Sequence, residues 1–308
     1  MFADDKKYKT EYIVVVNFHA AILVCLALMI LPGCTTGKTQ SVPEIVSFAV
    51  PDEHHFDVDA EILKVMTLNL GHGKGRGVLQ EFVSNNRTRE NLNNVVELLE
   101  RERPHVAAFQ EGDIESRRSG NFNHVQYIAE RAGYGQTIHS EHIKGLGLNH
   151  GTALISRLQM DNPLYVTFDP VLPSPDKGFI VCTVEFGAKP TEVDVVSVHL
   201  DVASNSARGR QVRQMVGFLS GRGNPLVVMG DFNCQLQDSE EVFNVLRDEL
   251  SLSAYELYSE ELQTFPFLNR RTDWILISPE LKFHSYTVLE ERVSDHLAVV
   301  SELVNAKK

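Results

Sequence analysis

Two short motifs in this 308-residue chain place a carboxylate next to a second polar group at the boundary of an apolar run. Gly230-Asp231-Phe232-Asn233 follows the run Pro225–Met229 and sets a carboxylate and an amide two residues apart. Roughly sixty residues on, Ser294-Asp295-His296 sets a carboxylate beside an imidazole, just ahead of another apolar run. Hard oxygen ligands on a rigid strand end suit Mg2+ or Mn2+, and a nearby imidazole moves or stabilises charge. Together they suit metal-assisted hydrolysis of a phosphoester. Taken alone, Asp231 and Asn233 equally suit an Asx turn after a strand.

Such motifs need strands to hold them, and the apolar periodicity supplies strands alternating with helices. A strand over Ile62–Leu70 precedes a helix over Thr88–Glu102, where Leu92, Val95, Val96 and Leu99 fall at the i, i+3, i+4, i+7 spacing of one buried face. Pro104 stops that helix. A strand over His105–Gln110 and a helix over Asn123–Ala132, closed by Gly133, come next. Strands are expected over Thr152–Ser156, Gly178–Phe186 and Val193–Leu200, then a helix over Ala207–Ser220. The strand Leu226–Met229, the helix Ser239–Asp248 and strands over Trp274–Ile277, Phe283–Leu289 and Leu297–Leu303 complete the pattern. Each polar motif therefore sits at the end of an apolar strand, and in layered α/β proteins such ends converge on one rim.

The order of the motifs carries a resemblance. Thr67-Leu68-Asn69-Leu70, Phe109-Gln110-Glu111, the segment His150–Arg157, Ser197-Val198-His199-Leu200, Gly230–Asn233, the segment Arg271–Ser278 and Ser294–His296 follow one another along the chain. This succession resembles the endonuclease/exonuclease/phosphatase superfamily, whose members include DNase I, neutral sphingomyelinases, inositol-polyphosphate 5-phosphatases and AP endonucleases. The likeness runs from about Leu63 to about Leu303. It implies an α/β fold, a four-layer α/β/β/α sandwich of two mixed β-sheets flanked by helices, with the site at one end.

The resemblance also implies roles. Glu111, by itself a strand-end surface charge, would ligate Mg2+ (or Mn2+), with Asn69 as a ligand or positioning amide and Asp295 toward the metal. Asp231 would orient or deprotonate the attacking water, Asn233, His199 and His296 would contact the scissile phosphate, and Asp273 would fix the tautomer of His296. The histidine of Ser294-Asp295-His296 separates the chain from the AP-endonuclease group, which typically carries Asn after Pro there. That group also has an acidic residue two positions after the first Asn, where this chain has Gly71. Gly71 opens the basic stretch His72–Gly77, which reads either as a flexible surface loop or as backbone wrapped on a phosphate. Arg208 and Arg210 read either as contacts to a substrate phosphate or as solvated charges near a helix start.

Composition bounds what the site can serve. With 43% hydrophobic and 23% charged residues the chain can bury a full core, and residues 61–308 are expected to form one catalytic domain. The formal net charge of −12 gives no general attraction to nucleic acid or anionic lipid. At the N-terminus, Lys6, Lys7 and Lys9 precede the apolar run Ala20–Leu31, and Leu31-Pro32-Gly33-Cys34 looks like a bacterial lipobox. Residues 1–33 are then a signal peptide and Cys34 is the lipidated residue. An uncleaved membrane anchor or ordinary secretion are the other readings, and all three place the domain outside the cytoplasm, at the periplasmic or cell surface. Residues 34–60 read as a linker or tether, with His54-His55 solvated within it. Cys182 and Cys234 remain in the domain, Cys182 as a small buried hydrophobe, a disulfide between them being the lesser reading.

These features together predict a monomeric, membrane-anchored, Mg2+- or Mn2+-dependent phosphoester hydrolase. Its substrate would be a phosphodiester or a lipid- or inositol-type phosphoester. An extracytoplasmic DNase I-like nuclease is the alternative, and an inactive surface-binding protein on the same scaffold is a third.

Overall fold

In the computed structural model, which describes residues 39–49, 61–76, 83–145 and 147–306, the strands alternate in what they bury. Strand β3 (Leu63–Asn69) turns Leu63 and Val65 to one face and Met66 and Leu68 to the other. Strands β4 (Val106–Asp113), β10 (Thr191–His199), β11 (Leu226–Asp231) and β13 (Asp273–Ile277) do the same. Strands with two apolar faces must be covered on both sides, and the result is four layers.

The first sheet runs β1 (Thr39–Ser41), β8 (Asp161–Thr167), β9 (Gly178–Phe186), β10, β11, β13, β12 (Ser253–Ala254). The second runs β14 (Leu281–Val288), β15 (Val299–Asn305), β3, β4, β7 (Leu148–Ser156), β5 (Gln136–His139), β2 (Val46–Ser47), with β6 (Ile143–Gly145) added beside β7. Each sheet mixes one parallel pair, β10 with β11 and β3 with β4, into an otherwise antiparallel order. Helices α1 (Asn85–Glu102) and α2 (His124–Arg131) cover the second sheet, and α3 (Asn205–Leu219) and α4 (Glu240–Leu250) cover the first. Ser84, Asn123 and Ser204 cap the first three helices, each side chain accepting a backbone N–H three residues on.

The central layer explains where the polar residues go. Inward positions read Leu63, Val65, Thr67, Asn69 on β3 and Val193, Val195, Ser197, His199 on β10, each pair of apolar residues followed by a polar pair. On β11 the series is Val227, Met229, Asp231, and on β13, read backwards, Ile277, Ile275, Asp273. Buried apolar side chains stabilise by about 1.5–3 kcal/mol each, so they fix the register. A one-residue slip would send every one to the wrong face. The polar ends are thereby gathered at one end of the sandwich.

The expected elements are all present, with ends shifted by a few residues; β9 and its expected range coincide. The sequence pattern missed β1, β2, β5, β6, β8 and β12. These are short, or interrupted as in β8, where the register shifts between Asp161 and Leu164 around Pro163. Two of them correct the tether. Within the segment 34–60, β1 pairs with β8 and β2 pairs with β5, so residues 39–41 and 46–47 are edge strands of the domain. Edge strands need little apolar periodicity because one neighbour satisfies their backbone. The signal segment, Cys34 and His54-His55 lie outside the described residues. Among the described residues, no helix is long and apolar enough to cross a membrane. Cys182 and Cys234 are both free and buried, on opposite faces of the first sheet, which excludes the disulfide reading.

Candidate active site

One row of Cα partners crosses the first sheet: Gly178 pairs with His199, His199 with Asp231, and Asp231 with Asp273. Two glycines allow this row to close up. A Cβ at Gly178 would lie 2.2 Å from the Val166 carbonyl oxygen, and one at Gly230 would lie 2.0 Å from that of Val198. From the facing sheet, Asn69 Nδ2 donates to Asp231 Oδ2 at 3.0 Å, and below it Gln110 Nε2 donates to Ser197 Oγ at 3.0 Å. Such cross-sheet bonds satisfy polar groups that would otherwise be buried without a partner.

Asp231 is the hub. Its Oδ1 accepts the N–H of Asn233 at 2.9 Å, so the Asx turn is real and builds the site rather than competing with it. Asn233 stands in the left-handed region at φ 52, and its Nδ2 donates to the Leu200 carbonyl at 2.9 Å, which aims the amide. Asp231 Oδ2 lies 3.5 Å from His199 Nε2 and 3.9 Å from His296 Nε2. The other ring nitrogen of His296 meets Asp273 Oδ2 at 2.8 Å. Thr264 and Thr272 hydroxyls donate to that same oxygen at 2.7 and 2.9 Å, fixing the carboxylate that fixes the ring.

The two imidazoles are driven to opposite charge states. Burial disfavours charge on His296, but Asp273 and Asp231 outweigh it and raise its pKa. Burial, then the nearby Lys177, push His199 well below the usual histidine range, and only in part does Glu111 oppose them. Lys177 Nζ sits 3.1 and 3.3 Å from the two ring nitrogens of His199. Asp231 is raised, first by burial and then by Asp273. A carboxylate lifted toward neutrality is suited to accept a proton.

Two of the expected metal ligands, Asn69 and Asp295, meet at Gly71. Its N–H donates to Asn69 Oδ1 at 2.9 Å, its φ is +51°, and a Cβ there would lie 2.6 Å from Asp295 Oδ1. Only glycine lets that carboxylate come up beside Asn69. Glu111 follows at a bulge between Phe109 and Gly112, itself in the left-handed region at φ 54, a strain of roughly 1–3 kcal/mol of the kind found at functional sites. Burial opposes its charge, yet His72, Lys177, His199 and His150 hold its carboxyl well below the ordinary range. Asn69, Glu111 and Asp295 thus offer carboxylate and amide oxygens and no sulfur, a donor set that fits a hard divalent cation.

The structure also gathers residues that the sequence left without a role. His72 Nδ1 meets Asp113 Oδ1 at 2.8 Å and His72 Nε2 lies 3.2 Å from Glu111 Oε2. The His72 ring stands edge-on to His150 at 4.7 Å, and Arg118 Nη2 approaches it at 2.9 Å. Among the described residues, two groups of His and carboxylate side chains each bring their ligand atoms within 4.8 Å of one another: Asp231, Asp273 and His296 form one, and His72, Asp113 and His150 the other. The flexible reading of the glycine-rich loop is corrected at its start, because Gly71–Gly73 is a buried 3-10 turn carrying His72 inward. Lys177 was missed because a lone lysine before a strand has no sequence signal beyond its position.

The two arginines proposed for phosphate contact are placed otherwise. Arg208 is buried, and its guanidinium donates to the carbonyls of Asp201 at 2.7 Å and Val202 at 3.2 Å, holding the turn that starts α3. Arg210 is exposed on the outer face of α3, its Nη1 3.3 Å from Ser206 Oγ. Both guanidiniums are thus engaged by the start of α3 itself.

Two mixed sheets packed face to face, helices outside, and polar strand ends converging on a carboxylate–imidazole hub define the DNase I-like class of α/β proteins. The chain belongs to the Endonuclease/Exonuclease/phosphatase family, whose profile matches residues 66–296 and whose members hydrolyse phosphoesters. Its fold is similar to that of the human Nocturnin catalytic domain with bound sulfate anion, at 19% identity and TM-score 0.62 over 86% of this chain and 98% of that one. A family protein from Leptotrichia buccalis is 18% identical, with TM-score 0.61 over 78% of this chain and 98% of its own. A mannosyl-6-phosphatase of Bacteroides thetaiotaomicron is 18% identical, with TM-score 0.57 over 79% and 99%. No functionally curated protein matches the sequence.

Proposed function

We propose that this protein is a divalent-metal-dependent phosphoester hydrolase of the bacterial cell envelope. We take it to be anchored by a lipid on Cys34 and to act on a phosphodiester or a lipid- or inositol-type phosphoester. The observation that carries this reading is the set of four partners around Asp231, namely Asn69, Asn233, His199 and His296, with Asp273 behind His296. Asp231 takes the proton of the attacking water. His296, held cationic by its two aspartates, stabilises charge on the phosphoryl oxygens, and the Asn233 amide and Lys177 ammonium add donors on either side. Neutral His199 relays hydrogen bonding between Lys177 and Asp231. A Mg2+ or Mn2+ held by Asn69, Glu111 and Asp295 would supply Lewis-acid neutralisation of the charge developing on the phosphate and leaving oxygen.

The net charge of −12 favours small or lipid-type phosphoesters over duplex DNA, whose binding draws on Lys and Arg along a groove. The test is an activity panel with Mg2+ covering bis-aryl phosphate, aryl phosphate monoester, sphingomyelin, inositol phosphates and plasmid DNA. Turnover is expected on a diester or lipid-type substrate, to be lost in EDTA and restored by Mg2+ or Mn2+ but not by Zn2+ alone. Full turnover in EDTA, or turnover of plasmid DNA alone, would overturn the reading.

A further inference from the structure

The row that holds the active site continues outward to the edge of the sheet. Gly178 pairs with Thr167, and Thr167 pairs with Thr39, so the first strand enters the fold in line with His199, Asp231 and Asp273. Cys34 precedes Thr39 by five residues. An extended chain spans at most about 3.3–3.6 Å per residue, so five residues reach at most roughly 18 Å from the end of that row. The opposite end of the sandwich is out of reach, because β10 runs eight further residues from His199 to Thr191, roughly 27 Å.

Exposed apolar residues collect at the same end. Among the described residues six large hydrophobics are exposed, and Leu172 (81%), Val202 (61%) and Leu268 (47%) stand on three different loops that all leave the site end of the first sheet. The Leu172 loop joins Thr167 to Gly178, the Val202 loop follows His199, and the Leu268 loop leads into Asp273. The last is fastened to the site by Phe265, whose ring packs 4.7 Å from that of His296. From the second sheet, the loops after Asn69 and Asp113 bring Lys74, Arg76 and Arg117 to this end, Arg76 and Arg117 exposed on a chain that is acidic as a whole. Three separate apolar tips beside a cationic sector match an interfacial lipid layer with anionic headgroups.

We propose that the active-site end of the sandwich lies against the bilayer carrying the Cys34 lipid. Leu172, Val202 and Leu268 enter its interfacial layer, Lys74, Arg76 and Arg117 face its anionic headgroups, and the substrate is the phosphoester headgroup of a membrane lipid. This rests on the phosphoester-hydrolase reading and on acylation at Cys34, and it adds orientation and substrate class to both.

The test uses the full, acylated chain reconstituted in vesicles of phosphatidylethanolamine and phosphatidylglycerol. Cys182 and Cys234 are buried, so an environment-sensitive fluorophore can be placed selectively on Leu172→Cys or, at the far end, on Lys189→Cys. Spin-labelled lipid is expected to quench the Leu172 probe and leave the Lys189 probe unaffected. In parallel, Leu172→Asp combined with Leu268→Asp should lower turnover of vesicle phospholipid at least tenfold while leaving bis-aryl phosphate turnover unchanged. Equal quenching at both probes, no quenching at Leu172, equal loss on both substrates, or absence of fatty-acid label on Cys34 would each overturn the proposal. If the parent enzyme turns over neither substrate, the hydrolase reading fails by itself, and the quenching pattern still decides the orientation. Recovery of the rim bound to a protein with no lipid quenching would assign the surface to a protein partner instead.

Discussion

Two buried histidines each meet an aspartate at 2.8 Å, His296 with Asp273 on the first sheet and His72 with Asp113 on the second. Their surroundings differ in sign. His296 faces Asp231 and lies beside Asp295, so its ring is held charged. His72 faces Glu111 but also Arg118 and His150, and its neighbour Asp113 is kept ionised against burial by the rings of His72, His150 and His124. The same couple thus sits among further carboxylates in one place and beside a guanidinium and a second imidazole in the other. A His–Asp contact alone does not define a role; the third neighbour does.

The largest expected effect breaks the acidic couple. His296→Ala should lower kcat by about a hundredfold or more, the scale of a lost acid, base or charge stabiliser. It should also lower stability, because Asp273 and Asp231 would lose the cation that compensates them. Asp273→Asn should fall between, since an amide oxygen still accepts from the ring but no longer stabilises its charge. His72→Asn should cost far less in kcat, and a loss equal to that of His296→Ala would erase the distinction between the couples.

A third buried ring, His142, sharpens the comparison because its partners among the described residues are the hydroxyls of Ser140, Thr152 and Thr167, with no carboxylate bonded to it. Burial, then nearby His139 and Lys177, lower its pKa to about 3. Above the unfolded value near 6.5 the ring is neutral in both states. As pH falls below that, the unfolded chain takes up a proton that the folded chain refuses, and stability is lost down to about pH 3. Between pH 7 and 5 this costs about 2 kcal/mol, roughly thirtyfold in the folding constant. Urea melts at the two pH values measure it, and a His142→Asn variant with an unchanged pH slope would refute the assignment.

Lys177→Met should reduce turnover about tenfold, the scale of one charge-assisted hydrogen bond, with a change of pH profile as His199 loses its cationic neighbour. Unaltered kinetics would remove Lys177 from the site. Arg210→Ala should change turnover less than twofold, since the side chain is exposed on α3 and bonded to Ser206. A tenfold loss there would assign Arg210 to the substrate phosphate instead.

The alternation of strands and helices, the family, and the candidate site residues Asn69, Asp231, Asn233, Asp273 and His296 are all legible in the sequence. Asn69, Asp231 and Asp273 continue the two-residue period of apolar strands, so their types and their placement are written in the same local pattern, and Asn233 and His296 follow in short motifs beside strands. The sequence also placed His199 at the end of such a strand. What only the tertiary structure decided are contacts whose members share no local period. His72 and Asp113 are brought together by a turn that the glycines permit, and Lys177 reaches His199 because β9 and β10 align in register. Arg208 is diverted to backbone carbonyls by the cap of its own helix. Likewise β1 and β2 take their order from free edges offered by β8 and β5, a backbone demand that leaves almost no mark on side-chain sequence.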